Sequence, residues 1–398
     1  MQTLLFDSHW RQDLLPLAYA RPAGELRCGI LTLREKWQRV LDAPVSTAGV
    51  GYLRELFPPE VGEDNLLVNA HLLPDPAVVS WLPQLPVGTA WYQGETLVAA
   101  RTDRSGAMAF LASGDISGVE TCQVPALPLT YVRRPADLFT LNDQEIRRDF
   151  QLLTAGRSSA DISATNTVIG PRDQLFLEPG VTMEACILNV SAGPIYIGAD
   201  AVILEGAMMK GPMAACAGAI VKMGAKVYGG TTIGPHCKVG GEISNVVFQA
   251  NTNKGHDGYL GNAVIGEWCN IGADTNASNL KNDYGSVKTW SYREEALVDS
   301  GLQFHGLVMG DHSKTAINTM LNTGACIGFS SNVFGTGFPP VFLPSFLWGG
   351  VNDRQTYRLD KALATARRVM QRRGHELTNV HERIFERIFT DSAAYRSA

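Results

Sequence analysis

Aliphatic residues recur at every sixth position through the middle of the chain. Leu177 and Met183, then after a two-residue slip Ile197, Ile203, Met209, Val221, Val227, Ile233 and Val239, keep the six-residue spacing; Ile265 and Ile271, then Met309, Leu321 and Ile327, resume it after further slips. Many are followed directly by glycine, as in Ile197-Gly198 and Ile233-Gly234. A helix of period 3.6 cannot use such a spacing. Coils of three short strands can, with the aliphatic side chains stacked inside and the glycines turning tight corners. One coil buries no core alone, so the hexads stand or fall together as one solenoid.

On either side the pattern changes. Short apolar runs at Thr3 to Phe6, Asn65 to Val68, Thr96 to Ala100 and Ala107 to Leu111 read as strands. They alternate with helices predicted at Leu31 to Leu41 and Asn142 to Leu153, the second opened by an N-cap at Asn142 with Glu145 three residues on. That alternation predicts an α/β layered domain. A polar link of small residues, "TAGRSSADISATN", separates it from the repeat. Past Pro339, Pro340 and Pro344, the spacing of Leu359, Leu363, Ala366, Val369 and Met370, then of Leu377, Val380, Ile384 and Ile388, predicts two amphipathic helices that cover the solenoid or a neighbouring subunit. The expected domains are 1–153, 154–350 and 351–398. Arg367, Arg368, Arg372 and Arg373 read as a solvated helix face, with an anionic ligand as the alternative.

Composition narrows the function. A chain of 398 residues with net charge -5 and 18% charged residues has neither the basic field of a nucleic-acid binder nor a disordered make-up. No long apolar run or basic-apolar leader is present, so a cytoplasmic protein without a membrane partner is expected. The seven cysteines are scattered and lack a CxxC pair, which argues against disulfides or zinc.

The hexad register breaks at "NTNKGHDGYLGNAVIGEWCNIGADTNASN", a polar run carrying His256. With Glu242 before it, this stretch resembles the acetyltransferase half of GlmU, the bifunctional family that acetylates and uridylylates an amino-sugar 1-phosphate. Matched without gaps, Glu242, His256, Tyr259, Asn270, Ala273 and Asn279 take the family's positions. Amide formation from a thioester needs a neutral amine, hence a base, and histidine is suited to that task. The resemblance implies a left-handed parallel β-helix, a homotrimer with sites between neighbours, His256 as base and Glu242 as its orienting acceptor. Asn279 and the backbone near Ala273 would steady the oxyanion. Lys226, Lys254 and Lys288 would hold phosphates of the sugar or of acetyl-CoA. Ser244, Asn245 and Leu280 depart from the family pattern, so the acceptor sugar is left open.

The amino terminus resembles a sugar nucleotidyltransferase domain through Arg11, Leu15-Pro16-Leu17 and Arg21-Pro22. Its glycine-rich loop is replaced by Asp7-Ser8-His9-Trp10, so Arg11, Arg21, Arg27, Arg34 and Lys36 would carry more of a triphosphate's charge. Asn69 or, weakly, Asp75 would stand at the Mg2+ position. The expected substrates are a nucleoside triphosphate, a sugar 1-phosphate and acetyl-CoA, in sugar-nucleotide synthesis by a transferase. A single active domain, or a non-catalytic sensor of nucleotide sugars, is the alternative.

Overall fold

The computed structural model describes residues 1–396 apart from 117, 123–126 and 128. It divides into two compact units: Met1–Leu14, Ala20–Leu26 and Leu31–Arg134 in one, Leu15–Tyr19, Arg27–Ile30 and Pro135–Ala398 in the other.

The first unit is a mixed sheet of order β2-β1-β3-β5-β4-β6, from β1 (Gln2–Phe6), β2 (Val45–Ala48), β3 (Asp64–Asn69), β4 (Thr89–Gln93), β5 (Thr96–Asp103) and β6 (Glu120–Thr121). β1, β2 and β3 run parallel, and β5 is antiparallel to β3 and β4. Burial along β1 and β3 is nearly continuous rather than alternating, because both faces are covered. Helix α1 (Leu33–Leu41) opens with a capping box between Thr32 and Glu35. Helix α2 spans Pro76–Trp81. The apolar run Ala107 to Leu111, expected as a strand, lies in helix α3 (Arg104–Ser113). Asp103 caps its first turn through Gly106 N at 2.8 Å and Gly114 closes it in the left-handed region, so local caps override the apolar run.

The second unit is a parallel β-solenoid with helices packed on it, as the hexads predicted. Every in-phase aliphatic residue, from Leu177 through Ile327, lies in one continuous core. The glycines that follow them do not turn corners, contrary to expectation. At Gly198 φ is ordinary, and an added Cβ would stand 2.5 Å from Ala217 N of the next coil. The hexad glycine is there so that stacked backbones can approach. Corners are turned instead by residues such as Asp200, His236, Asp274 and Asn318, all at positive φ, and by other glycines such as Gly218.

Helices α4 (Pro135–Thr140) and α5 (Asn142–Thr154) belong to this unit, so the first unit closes at Arg134, ahead of the polar link. Asn142 is not an N-cap. Its buried amide donates to Gly230 O at 2.7 Å and accepts from Gly29 N at 2.7 Å. Such tertiary partners are invisible to a local capping rule.

Residues 283–306 fold as an antiparallel hairpin, Lys288–Ser291 with Ala296–Asp299. Within this chain its Trp290 ring stacks on Phe342 at 4.0 Å and Tyr292 is buried. Helices α6 (Leu359–Gln371) and α7 (Asn379–Asp391) close the chain. α7 buries Phe385 and Ile388, with Phe385 against Phe329 and Phe346 of the last coils. Among the described residues, no helix is long and apolar enough to cross a membrane.

Candidate functional site

At the break in the repeat, paired strands set the site. Lys226, Glu242 and Tyr259 occupy matched positions on three successive parallel strands, side by side on one outward column. Tyr259 is steadied from the following coils: its N–H donates to Asn276 Oδ1 at 2.8 Å, and its hydroxyl is bonded to the Asn279 amide. Asn279 Nδ2 also donates to Asn262 Oδ1 at 2.7 Å, and Asn262 Nδ2 donates in turn to Asn245 at 3.0 Å. These asparagines form a ladder across three coils, which ties Asn279 into the scaffold rather than leaving its amide free for an oxyanion.

His256 sits on the exposed loop between the strands Asn253–Lys254 and Tyr259–Ile265. Among the described residues, nothing hydrogen-bonds its ring. Among the described residues, Glu242, expected to orient it, forms no hydrogen bond or ion pair with it.

Lys254 is where the structure departs furthest from a phosphate-binding role. Its strand partner is Val239, which in turn continues the column of Val221 and Ile203, so Lys254 takes an inward core position of the solenoid and is 1% exposed. Its ammonium donates to Gly240 O and to His256 O, both at 2.9 Å. Burial lowers its pKa to about 8, against the pull of Asp257 and Asp274. A lysine in an aliphatic column is therefore the internal strut of the histidine loop.

The other predicted residues scatter. Asn270 lies on a different column, bonded to Asn253 at 2.8 Å. The Ala273 carbonyl accepts from Asn318 N at 2.8 Å. Lys288 is exposed on the inserted hairpin.

In the first unit the parallel strands β1, β2 and β3 end at one edge, where α/β sheets bind ligands. Asp7 follows β1 there. Its Oδ1 accepts from Ala23 N at 2.8 Å, its Oδ2 lies 3.4 Å from Arg11 Nε, and burial raises its pKa to about 6 despite that arginine. Arg11 also donates to Tyr52 at 2.8 Å, and Arg21 is buried. Beside them Trp10 packs edge-on against His71 and Tyr131, with the Arg133 guanidinium 4.2 Å from the Trp10 ring centre. His71 donates Nδ1–H to Val132 O at 2.8 Å, and burial pushes its pKa down to about 4. Its Nε2 and the Tyr131 hydroxyl are buried with no hydrogen-bond partner among the described residues. Sequence reading missed this cluster; the only signal was the bulky His9-Trp10 where glycines were expected.

Four nucleotide-site expectations fail here. Arg27 belongs to the second unit and is buried, its N–H on Gln249 Oε1 at 2.7 Å and its guanidinium on the Ile30 carbonyl. Lys36 is buried in α1. Asn69 is fully buried, donating to Leu97 O at 3.1 Å and accepting from His71 N at 3.0 Å. Asp75 caps α2 through Ala77 N at 3.0 Å. A magnesium ion needs several unengaged oxygens converging on one point, and these residues do not fit it. Among the described residues, no three His, Cys, Asp or Glu side chains gather as a metal site.

The fold consists of a mixed α/β sheet domain and a parallel β-solenoid built on six-residue repeats. Residues 3–158 match the family described as sugar nucleotidyl transferase. The bifunctional protein GlmU of Picosynechococcus sp. is 26% identical over 155 residues, 38% of this chain and 28% of that protein. An Escherichia coli (strain 536) protein named as an uncharacterized acetyltransferase, YaiX, is 27% identical over 146 residues, 36% of this chain and 63% of that one. The structure of NeuO, a polySia-specific acetyltransferase, matches at 13% identity and a TM-score of 0.29, covering 55% of this chain and 97% of that one. The chain is similar to GlmU over part of its length and spans 28% and 40% of the length of two GlmU relatives that it matches.

Proposed function

We propose that the protein is a transferase of nucleotide-sugar metabolism whose solenoid transfers an acetyl group from acetyl-CoA to an amino sugar bearing a 1-phosphate. The observation that carries this reading is His256: exposed at a break in the hexads, on a loop strutted from inside by Lys254, beside the Glu242 and Tyr259 column. In the reaction, the His256 ring takes the proton released as the acceptor nitrogen attacks the thioester carbonyl. The tetrahedral adduct collapses, the C–S bond breaks, and the thiolate leaves, collecting a proton to give free coenzyme A and the amide.

Glu242 makes no hydrogen bond to His256 among the described residues of one chain, and we take the site to be completed by a neighbouring solenoid in a homotrimer. Lys226, exposed beside Glu242, is then the cation best placed for the sugar phosphate. The first unit is proposed to bind the nucleotide or nucleotide sugar, with Arg11, Arg21 and Arg133 as its cations.

The test follows free thiol release from acetyl-CoA with a panel of amino-sugar 1-phosphates, beside His256→Ala. Release lost in a folded variant is the expected result. Absence of release with every acceptor overturns the acyl-transfer reading.

A further inference from the structure

A second polar face of the solenoid carries no assigned role. Lys238, Asn253, Asn270 and Lys314 are paired in sequence on neighbouring strands, an outward column separate from that of Glu242 and Tyr259. At about 4.8 Å per strand step, the two lysines bracket roughly 14 Å of surface. Helix α6 lies over this column and adds Arg372 and Arg373, enclosing a cleft of about 420 Å³. A volume of that order matches a small-molecule site.

The cleft is lined by four cations and no acid. None of the four is in an ion pair among the described residues. Arg373 crosses from the helix to donate to His236 O at 2.5 Å, and Lys314 Nζ donates to His312 O at 2.7 Å, so both heads are fixed by carbonyls rather than neutralised. Crowding shows at Lys238, which is lowered by burial first and then by Arg373, Arg372 and Lys222; burial lowers Lys314 to about 8. The helix dipole accounts for two arginines at the end of α6. It does not account for two lysines supplied by solenoid strands 76 positions apart in sequence. Between them the Asn253 and Asn270 amides, joined at 2.8 Å, add neutral polar groups, and Trp268 forms a buried wall. Asn251 Oδ1, also lining the cleft, is a buried acceptor without a hydrogen-bond partner among the described residues.

We propose that this cleft binds a diphosphate anion, free or carried on a metabolite. Two adjacent phosphoryl groups supply enough negative charge and length to reach cations on both walls, and a forked guanidinium suits phosphate oxygens. The proposal is independent of acetyl transfer at His256.

The probe is inorganic pyrophosphate, titrated calorimetrically into the full-length protein at low ionic strength, with Arg372→Gln/Arg373→Gln and, separately, Lys238→Gln. Circular dichroism checks each variant's fold, and Arg172→Gln serves as a charge-matched control elsewhere on the solenoid. The expected result is saturable binding weakened at least tenfold by either cleft variant and unchanged in the control and in His256→Ala. Pyrophosphate bound by the first unit would appear as a class that both cleft variants leave intact. If no binding class responds to either variant, the proposal is overturned. Competition by ADP, UDP or coenzyme A against pyrophosphate then separates carried from free diphosphate.

Discussion

His256 and His71 each follow closely on the end of a strand, and they are handled in opposite ways. His71 is buried, bonded at Nδ1, packed against Trp10 and held neutral; His256 is exposed, with a ring that nothing among the described residues hydrogen-bonds. Around His71, the groups that would meet phosphates or a cation are locked into the fold: Asn69 and Asp75 hold backbone, and Asp7 is a buried carboxylate. Around His256 the buried element is the support, Lys254, and the reactive group is left open. A site that must accept a substrate keeps its chemistry at the surface and its struts inside. The solenoid follows that plan more closely than the first unit does.

The largest effect expected from this contrast is on rate. His256→Ala should lower acetyl transfer by about 10²- to 10⁴-fold, the usual contribution of a general base, with the thermal midpoint unchanged. His71→Ala should instead lower the stability of the first unit and leave acetyl transfer intact. An acetyl-transfer loss in both variants would erase the distinction.

Two opposing pH effects, each on the order of 3 kcal/mol, are expected in the first unit. His71, at about 4 in the fold against 6.5 ordinarily, contributes stability above pH 6.5 that is lost as pH falls towards 4. Asp7, at about 6 against 3.8, does the reverse: its buried charge destabilises above pH 6 and is relieved as pH falls. Arg11 acts on both groups, and His9 and Asp13 also act on His71. The two trends oppose, so protection of β1 and β3 amides, corrected for intrinsic exchange, should change little between pH 6.5 and 4. Asp7→Asn should unmask the loss from His71. A flat profile in that variant would refute the opposing pair.

The solenoid's own weak point is backbone contact. Gly198→Ala should destabilise the second unit by about 1–3 kcal/mol in chemical denaturation, because the new methyl meets Ala217 N on the next coil. The first unit should be unaffected.

The smallest effect sharpens the comparison most. Lys254→Met keeps the core filled but removes the donor to the His256 carbonyl, so kcat should fall about tenfold, roughly one to two hydrogen bonds' worth of free energy. The solenoid's denaturation midpoint should hold or rise, since a buried charge is gone. An unchanged kcat would show that the loop does not need its strut.

Periodicity made much of this legible. The aliphatic hexads all reached the core because a six-residue period maps onto one interior column whatever lies around it. The closing helices were readable from amphipathic spacing, although Ala362, Ala366 and Met370 form the buried stripe of α6 rather than the leucines. Ala107 to Leu111 was misread because five apolar residues carry no period that separates strand from buried helix. Among site residues, His256 stood out as a titratable group in a break. Lys254 did not, since the interruption hides that it keeps the inward phase, and Arg27 looked like a phosphate ligand until its partner Gln249 was known.

By itself, then, the sequence determined the solenoid, its interrupted coil, the layered α/β unit before it and the helices after it, since these follow from local period and from burial of apolar surface. Tertiary structure alone decided which polar groups are struts and which are open. It put Lys254 inside and His256 outside, joined Asn245, Asn262 and Asn279 into a ladder, and gathered Lys238, Lys314, Arg372 and Arg373 around one cleft. The physical reason is that a polar side chain's role is set by its hydrogen-bond partners and its access to water, and in a stacked coil those partners come from neighbouring turns.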